Sequence, residues 1–439
     1  MSANSSPFDP YACASLHNQI ISLIASTATQ QYNNRIVHNF FVAYGDDAAA
    51  VRGRLSPPLI TFLENIVVVS NNENEDNDDQ VINFTPHLEM PNPKTFFDGA
   101  LGGVPNWYGE VHENWVVLYR ATEANHGIYF DMDTNLCTWQ EEMTPWLHNW
   151  YPLQQALQLW LSLYQSGKFQ PSIGQEAIYD PAYHSRYIPT DLDRDLQAYH
   201  ALLAAIQTRI PNSSISGEPG LVDEATLDGF RISGFLRDFL LQARRPSFEY
   251  VAPGLRLPTT AWLQEILSRD HGSERYTTVR DEGLVLQDDD ERWHPNWMQE
   301  ESSNHIGERY LVEKTSGLYS WPDAISEDAV RLVLPYPIGA NGWVRDGNPD
   351  AVTDENRDNV PDDLVNNDAL YQHGWCPFLP RHGPRLSTVL NNWRRLVEEG
   401  KWSVGPNGVE GGIDVFRQAD TEEHGRSYRI GVCFDEHAS

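Results

Sequence analysis

Residues 371–386, YQHGWCPFLPRHGPRL, place His373, Cys376, Arg381, His382 and Arg385 among glycines and prolines, just ahead of a helical pattern. A cysteine with histidines nearby has the makings of an activated nucleophile, because imidazole accepts the thiol proton or lowers its pKa. His373, Cys376 and His382 are therefore the candidate catalytic groups. Arg385, at the expected start of the helix, is a candidate substrate-binding residue, since a helix N-terminus beside a guanidinium suits a phosphate or carboxylate. The alternative is that Trp375, Cys376, Phe378 and Leu379 simply pin the loop into a core. A second stretch, LCTWQEEMTPWLHNWY (136–151), sets Glu141 and Glu142 among Trp139, Trp146 and Trp150. Carboxylates within aromatic walls suit a guanidinium or ammonium guest. Tryptophans at helical spacing are also ordinary core residues.

Metal chemistry is less well supported. Asp354, Asn356, Asp358 and Asp362 fall at positions 1, 3, 5 and 9 of a calcium-loop register. Position 6 is Asn359 rather than glycine and position 12 is Val365 rather than glutamate. Asp131, Asp133 and Asn135 repeat the spacing, and a hairpin turn explains them. Asp288-Asp289-Asp290-Glu291 reads as a solvated charge run. His112-Glu113 opens like a zincin helix, but Val116 stands where the second histidine belongs. No dinucleotide fingerprint, Walker A sequence or nucleophile elbow is present.

The charge distribution bears on partners. The 439 residues carry 31 Lys and Arg against 62 Asp and Glu, a net charge of −31. Residues 71–80, 281–302 and 345–368 contribute −5, −7 and −6, so three short segments hold −18 of it. Two stretches lean basic. One, 231–256, contains Arg244 and Arg245; the other, 373–402, contains Arg394 and Arg395. These four arginines are candidate phosphate contacts to a polyanion, with solvated helix faces as the alternative. The total still argues against a generic DNA-coating protein.

The elements that must hold these groups read as mixed. Helices are expected over 11–28, 145–167, 191–210, 222–244, 259–269 and 385–400. Residues 112–121 and 126–133 read as a hairpin, 401–412 as another around Pro406-Asn407-Gly408, and 427–434 as a final strand. GLVLQ and RLVLPY add strands. Without βαβ alternation the fold class is α+β, mixed helices and antiparallel strands with long acidic loops. Tentative boundaries are 1–80, 81–273 and 274–439. The four cysteines are too scattered for a disulfide framework or zinc finger, and neither a signal peptide nor a membrane span is evident. A cytoplasmic protein is expected.

The C-terminal third, QHGWCPFLPRHGPRLSTVLNNWRRLVEEGKWSVGPNGVEGGIDVFRQADT (372–421), resembles that of the arginine-containing cyclodipeptide synthases of filamentous-fungal natural-product clusters. The resemblance lies in size, texture and that stretch, and assigns no residue. It implies an enzyme that consumes arginyl-tRNA and a second aminoacyl-tRNA, without a cofactor, since the tRNA ester is already activated; Arg244, Arg245, Arg394 and Arg395 would then meet tRNA phosphates. Neither membrane nor DNA is implied. Two other classes remain open: a tailoring enzyme for a small basic or aromatic metabolite, and a non-catalytic acidic interaction or calcium-binding protein.

Overall fold

A computed structural model of the chain describes residues 8–27, 36–69, 83–86, 88–97, 104–105, 111–121, 127–140, 150–171, 182–184, 187–229, 234–261, 284–288, 317–320, 328–345, 365–371 and 384–430. They form two compact units, one of described residues up to 184 and one of described residues from 187 to 430. Helices and small, largely antiparallel sheets make the class mixed α+β. Among the described residues, no helix is long and apolar enough to cross a membrane.

The first unit begins with α1 (Pro10–Thr27), which buries Cys13, Ala14, His17, Ile20, Ile21 and Ile24. That spacing is one helical stripe. Asp9 starts the helix, its Oδ1 accepting the Tyr11 and Ala12 amides at 3.0 Å each. The Phe40–Arg52 helix (α2) follows, and Pro57-Pro58 then opens α3 (Pro57–Asn65) from positions where a missing N–H costs nothing. Strand Val67–Val69 pairs antiparallel with Ile36–His38. The expected hairpin is present: Trp115–Arg120 pairs with Gly127–Asp131, and Leu136–Gln140 adds a third antiparallel strand. Asp131 caps the second turn, accepting from the Asp133 amide and the Thr134 hydroxyl, with Asn135 at φ 60°.

Gly127 cannot be replaced without moving backbone. Its φ is 143°, and an added Cβ would lie 2.1 Å from the Tyr119 carbonyl oxygen. Gly127→Ala is expected to lower the unit's stability by about 2–3 kcal/mol, read from the urea midpoint. Gly53→Ala, with nothing near the new Cβ, serves as the neutral comparison. Equal midpoints for both variants would contradict this account.

The helix expected from Pro145 begins later, at Leu153 (α4, Leu153–Ser166). Tyr151 is held as a bridge to Cys137 by amide–carbonyl bonds of 2.7 and 2.8 Å, so sheet pairing overrides helical spacing there. Gly167 (φ 82°) ends α4 as expected.

The second unit is organised by two long helices, α5 (Pro189–Gln207) and α8 (Leu386–Glu398), packed against each other. Between them in sequence, the single helix expected over 222–244 is instead α6 (Glu224–Gly229) and α7 (Gly234–Gln242), with Gly234 at φ 63°. A seven-stranded sheet runs in the order Val330–Val333, Gly317–Ser320, Leu284–Asp288, Leu255–Arg256, Tyr250–Ala252, Gly408–Val409, Val404–Gly405. Its pairs are antiparallel except Tyr250–Ala252 with Gly408–Val409. Asp288 therefore ends a strand rather than opening a loop. The hairpin around Pro406-Asn407 forms as expected. Residues 425–428 do not begin the expected strand; they are a 3-10 helix in which the Ser427 amide donates to His424 at 2.8 Å. The expected helix at 259–269 lies outside the described residues beyond Ala261.

Candidate functional site

Charged side chains rarely enter a core unpaired, which makes the start of α8 the distinctive place in this unit. Arg385, 1% exposed, occupies the N-cap position. Its backbone forms a bridge with Ala329, flanked by Val330 N–H donating to Pro384 O and Leu386 N–H donating to Asp328 O, each 2.9 Å. The guanidinium Nη1 lies 3.1 Å from Asp191 Oδ1 and 3.7 Å from Asp328 Oδ2. Asp191 also meets Arg194 Nη1 at 3.4 Å.

An arginine offers no acceptor, so α8 has no side-chain cap of its own. The acceptor comes from α5: Asp195 Oδ1 takes the Ser387 amide at 2.6 Å. Burial first, and then the charge of Asp328, hold the Asp195 carboxyl well above the usual range. The Ser387 bond and the charges of Arg194 and Arg385 oppose that shift. Acids in the first turns of a helix ordinarily suit its dipole from the solvent side, but Asp191 and Asp195 are buried. A signal was present: 191, 195, 198 and 202 recur at four- and three-residue steps, so both acids share the stripe of buried Ala198 and Leu202.

The described residues that flank 372–383, Tyr371 on one side and Pro384-Arg385 on the other, are both held in place. Tyr371, at φ 62° and buried, donates its hydroxyl to Asn392 Oδ1 at 2.8 Å and accepts from Trp393 Nε1 at 3.3 Å. Asn392 in turn donates to the Ser427 and Arg429 carbonyls, each at 3.0 Å. Pro384 and Arg385 are fixed at the other end as described. Both anchors involve α8. His373, Cys376 and His382 fall within 372–383 and so lie outside the described residues; Glu141, Glu142, Asp354, Asn356, Asp358 and Asp362 lie outside them too.

The four candidate phosphate contacts divide. Arg245 Nη2 donates to the Leu221 and Pro258 carbonyls at 2.6 Å each, and Arg395 Nη2 to Ser427 and Arg429 at 2.9 and 3.1 Å. These two fasten one element to another. Arg394 Nε lies 3.8 Å from Glu398 on its own helix. Arg244 is exposed; together with burial, its charge lowers the pKa of His200, whose Nε2 accepts the Arg244 amide at 3.4 Å. Arg385 stands at a helix N-terminus as expected, with protein carboxylates as its partners.

The described cysteines are poor nucleophiles. Burial, reinforced by Asp9, pushes the Cys13 thiol to about 12, and burial, reinforced by Cys13, holds Cys137 well above the usual thiol range. Among the described residues no group of His, Cys, Asp and Glu has the makings of a metal site. No protein-family model, curated protein or solved structure matches this chain.

Proposed function

We propose that the chain is an aminoacyl-tRNA-dependent synthase that joins arginine to a second amino acid as a cyclic dipeptide, with 372–383 as its reactive segment. The observation that carries this reading is the double anchoring of that segment on α8, through Tyr371 at one end and Arg385 at the other. Reactive groups on a loop need ends held by rigid elements if their geometry is to be reproducible. The resemblance of 372–421 supports the reaction class.

In this reading the arginyl ester carbonyl is attacked by the Cys376 thiolate or directly by the second amine, with His373 or His382 taking the proton. The tRNA leaves as its 3′-hydroxyl, protonated by the same acid. The amine of the second aminoacyl ester forms the first peptide bond. The arginyl amine then attacks the remaining ester, closing the ring and freeing the second tRNA. Glu141 and Glu142 pair with the arginyl guanidinium, and Arg244 with Arg394 meet phosphate.

Expression in a heterologous host is expected to yield a new arginine-containing diketopiperazine by mass spectrometry. In a cell-free reaction, ribonuclease is expected to abolish it. Cys376→Ala, His373→Ala and His382→Ala are expected to lower its rate by about 100-fold or more at positions that carry chemistry. Product formation that survives ribonuclease would remove the tRNA step. One observation favours a second reading, a tailoring enzyme acting on a small basic or aromatic metabolite: Arg245 and Arg395 are already spent on main-chain carbonyls. Turnover of such a metabolite by RNA-free protein would select it.

A further inference from the structure

Three carboxylates meet at the α5–α8 junction, Asp191 and Asp195 from α5 and Asp328 from the residue pair leading into strand Val330–Val333. Each is at most 1% exposed. The cations facing them are Arg385, equally buried, and Arg194, whose side chain is 27% exposed. Among the described residues, the fully ionised cluster is one negative charge in excess. Its hydrogen bonding is also unbalanced in the same sense. Asp195 Oδ1 receives the Ser387 amide, but among the described residues Asp195 Oδ2 and both Asp328 oxygens have no hydrogen-bond donor, and Ser387 Oγ has no partner. A buried ionised carboxylate with an unpartnered oxygen is far costlier than the neutral acid. One proton eases both defects, cancelling the excess charge and supplying one donor among oxygens that only accept.

We propose that Asp195 keeps its proton at neutral pH, making the junction a latch that loosens as pH rises. Asp195 is the natural holder, since Oδ1 already serves α8 and Oδ2 is open to carry hydrogen. Burial and the neighbouring charge of Asp328 act on it in the required direction. The sign follows: the unfolded carboxyl is ionised near neutrality while the folded one is not, so the folded state binds more protons. Stability is therefore lost as pH rises through the folded value. Ionisation would return a surplus charge to the first turn of α8, where Arg385 and Ser387 are held.

Urea denaturation of the full chain from about pH 6 to about pH 9 tests this. The wild-type midpoint is expected to fall over that range. Asp195→Asn, neutral throughout and still able to accept the Ser387 amide, is expected to flatten the profile. Asp328→Asn, which removes the neighbouring charge, should flatten it as well. A flat wild-type profile, or a slope that persists in both variants, overturns the latch. If neither variant folds, infrared difference spectra between the two pH values decide. These are taken in a Glu89→Gln background, because burial also holds Glu89 above the carboxylate range. Loss of a protonated-carboxyl band at high pH is the expected result, and no such band at either pH overturns the proposal. The latch does not rest on the synthase reading, and these readouts do not involve turnover, so either can fail alone.

Discussion

Arg385→Met is expected to destabilise the 187–430 unit by about 3–5 kcal/mol, because it takes the counter-charge from buried Asp328 and leaves buried Asp191 only the partly exposed Arg194. Methionine keeps most of the buried stem volume, so the loss reports charge rather than a cavity. The variant's carboxylates are expected to relieve the strain by taking up protons. Its deficit should therefore shrink as pH is lowered. Adding Asp191→Asn and Asp328→Asn to Arg385→Met is expected to recover much of the loss. Urea denaturation, with each midpoint compared at equal m-value, makes the measurement. A deficit below about 1 kcal/mol would mean that the pairs behave as solvent-screened surface bridges despite their burial.

The second large effect belongs to the first unit and has the opposite pH sense. His17 is fully buried, stacked on Phe84 at 4.6 Å, with Nε2 2.8 Å from the Val67 carbonyl and Nδ1 2.9 Å from the Tyr119 hydroxyl. A carbonyl only accepts, so Nε2 carries the hydrogen and Nδ1 accepts from Tyr119. Burial lowers the His17 pKa from 6.5 to about 4, partly opposed by the Val67 bond. The unfolded histidine therefore binds a proton that the folded one refuses between those values. Stability is complete above the unfolded value and falls as pH drops through this window. The expected loss is about 3 kcal/mol. His17→Phe is expected to remove that slope while costing about 2–4 kcal/mol at pH 7, since Tyr119 and Val67 each lose a buried partner. Denaturation at about pH 7 and about pH 4.5 checks both. An acid slope equal to wild type in the variant would contradict the assignment.

Local pattern carried much of the fold. The hairpin through Trp115–Asp131, the cap at Gly167, helix α8 and the Pro406-Asn407 turn follow from periodicity and turn chemistry, which act over a few residues. The failures share a cause in partners remote in sequence. Helical spacing around Trp150 gives way to pairing of Tyr151 with Cys137. Arg385 meets Asp191 from 194 residues away, so its composition suggested an external anion where the fold supplies an internal one. Likewise Arg245 and Arg395, indistinguishable in sequence from Arg244 and Arg394, are taken up by carbonyls of other segments. The candidate reactive groups His373, Cys376 and His382 were legible as a chemical type. The anchors on either side of them, Tyr371 and Arg385, were not, because Asn392, Trp393 and Asp191 become their partners only in the folded chain.

Helix α8 begins on an acceptor that lies 192 residues earlier in the chain. During synthesis at about 5–20 residues per second, Asp195 leaves the ribosome roughly 10–40 s before Ser387 does. Throughout that interval α5 displays Asp191 and Asp195 on the stripe it will later bury, with their partners Arg385 and Ser387 not yet made. Those two charges keep an otherwise apolar helix face hydrated while it waits, and discourage premature pairing with other greasy segments. The same acids that burden the finished core thus set the order of assembly on this stripe, since α5 completes its junction with α8 only after residues 385–387 have emerged.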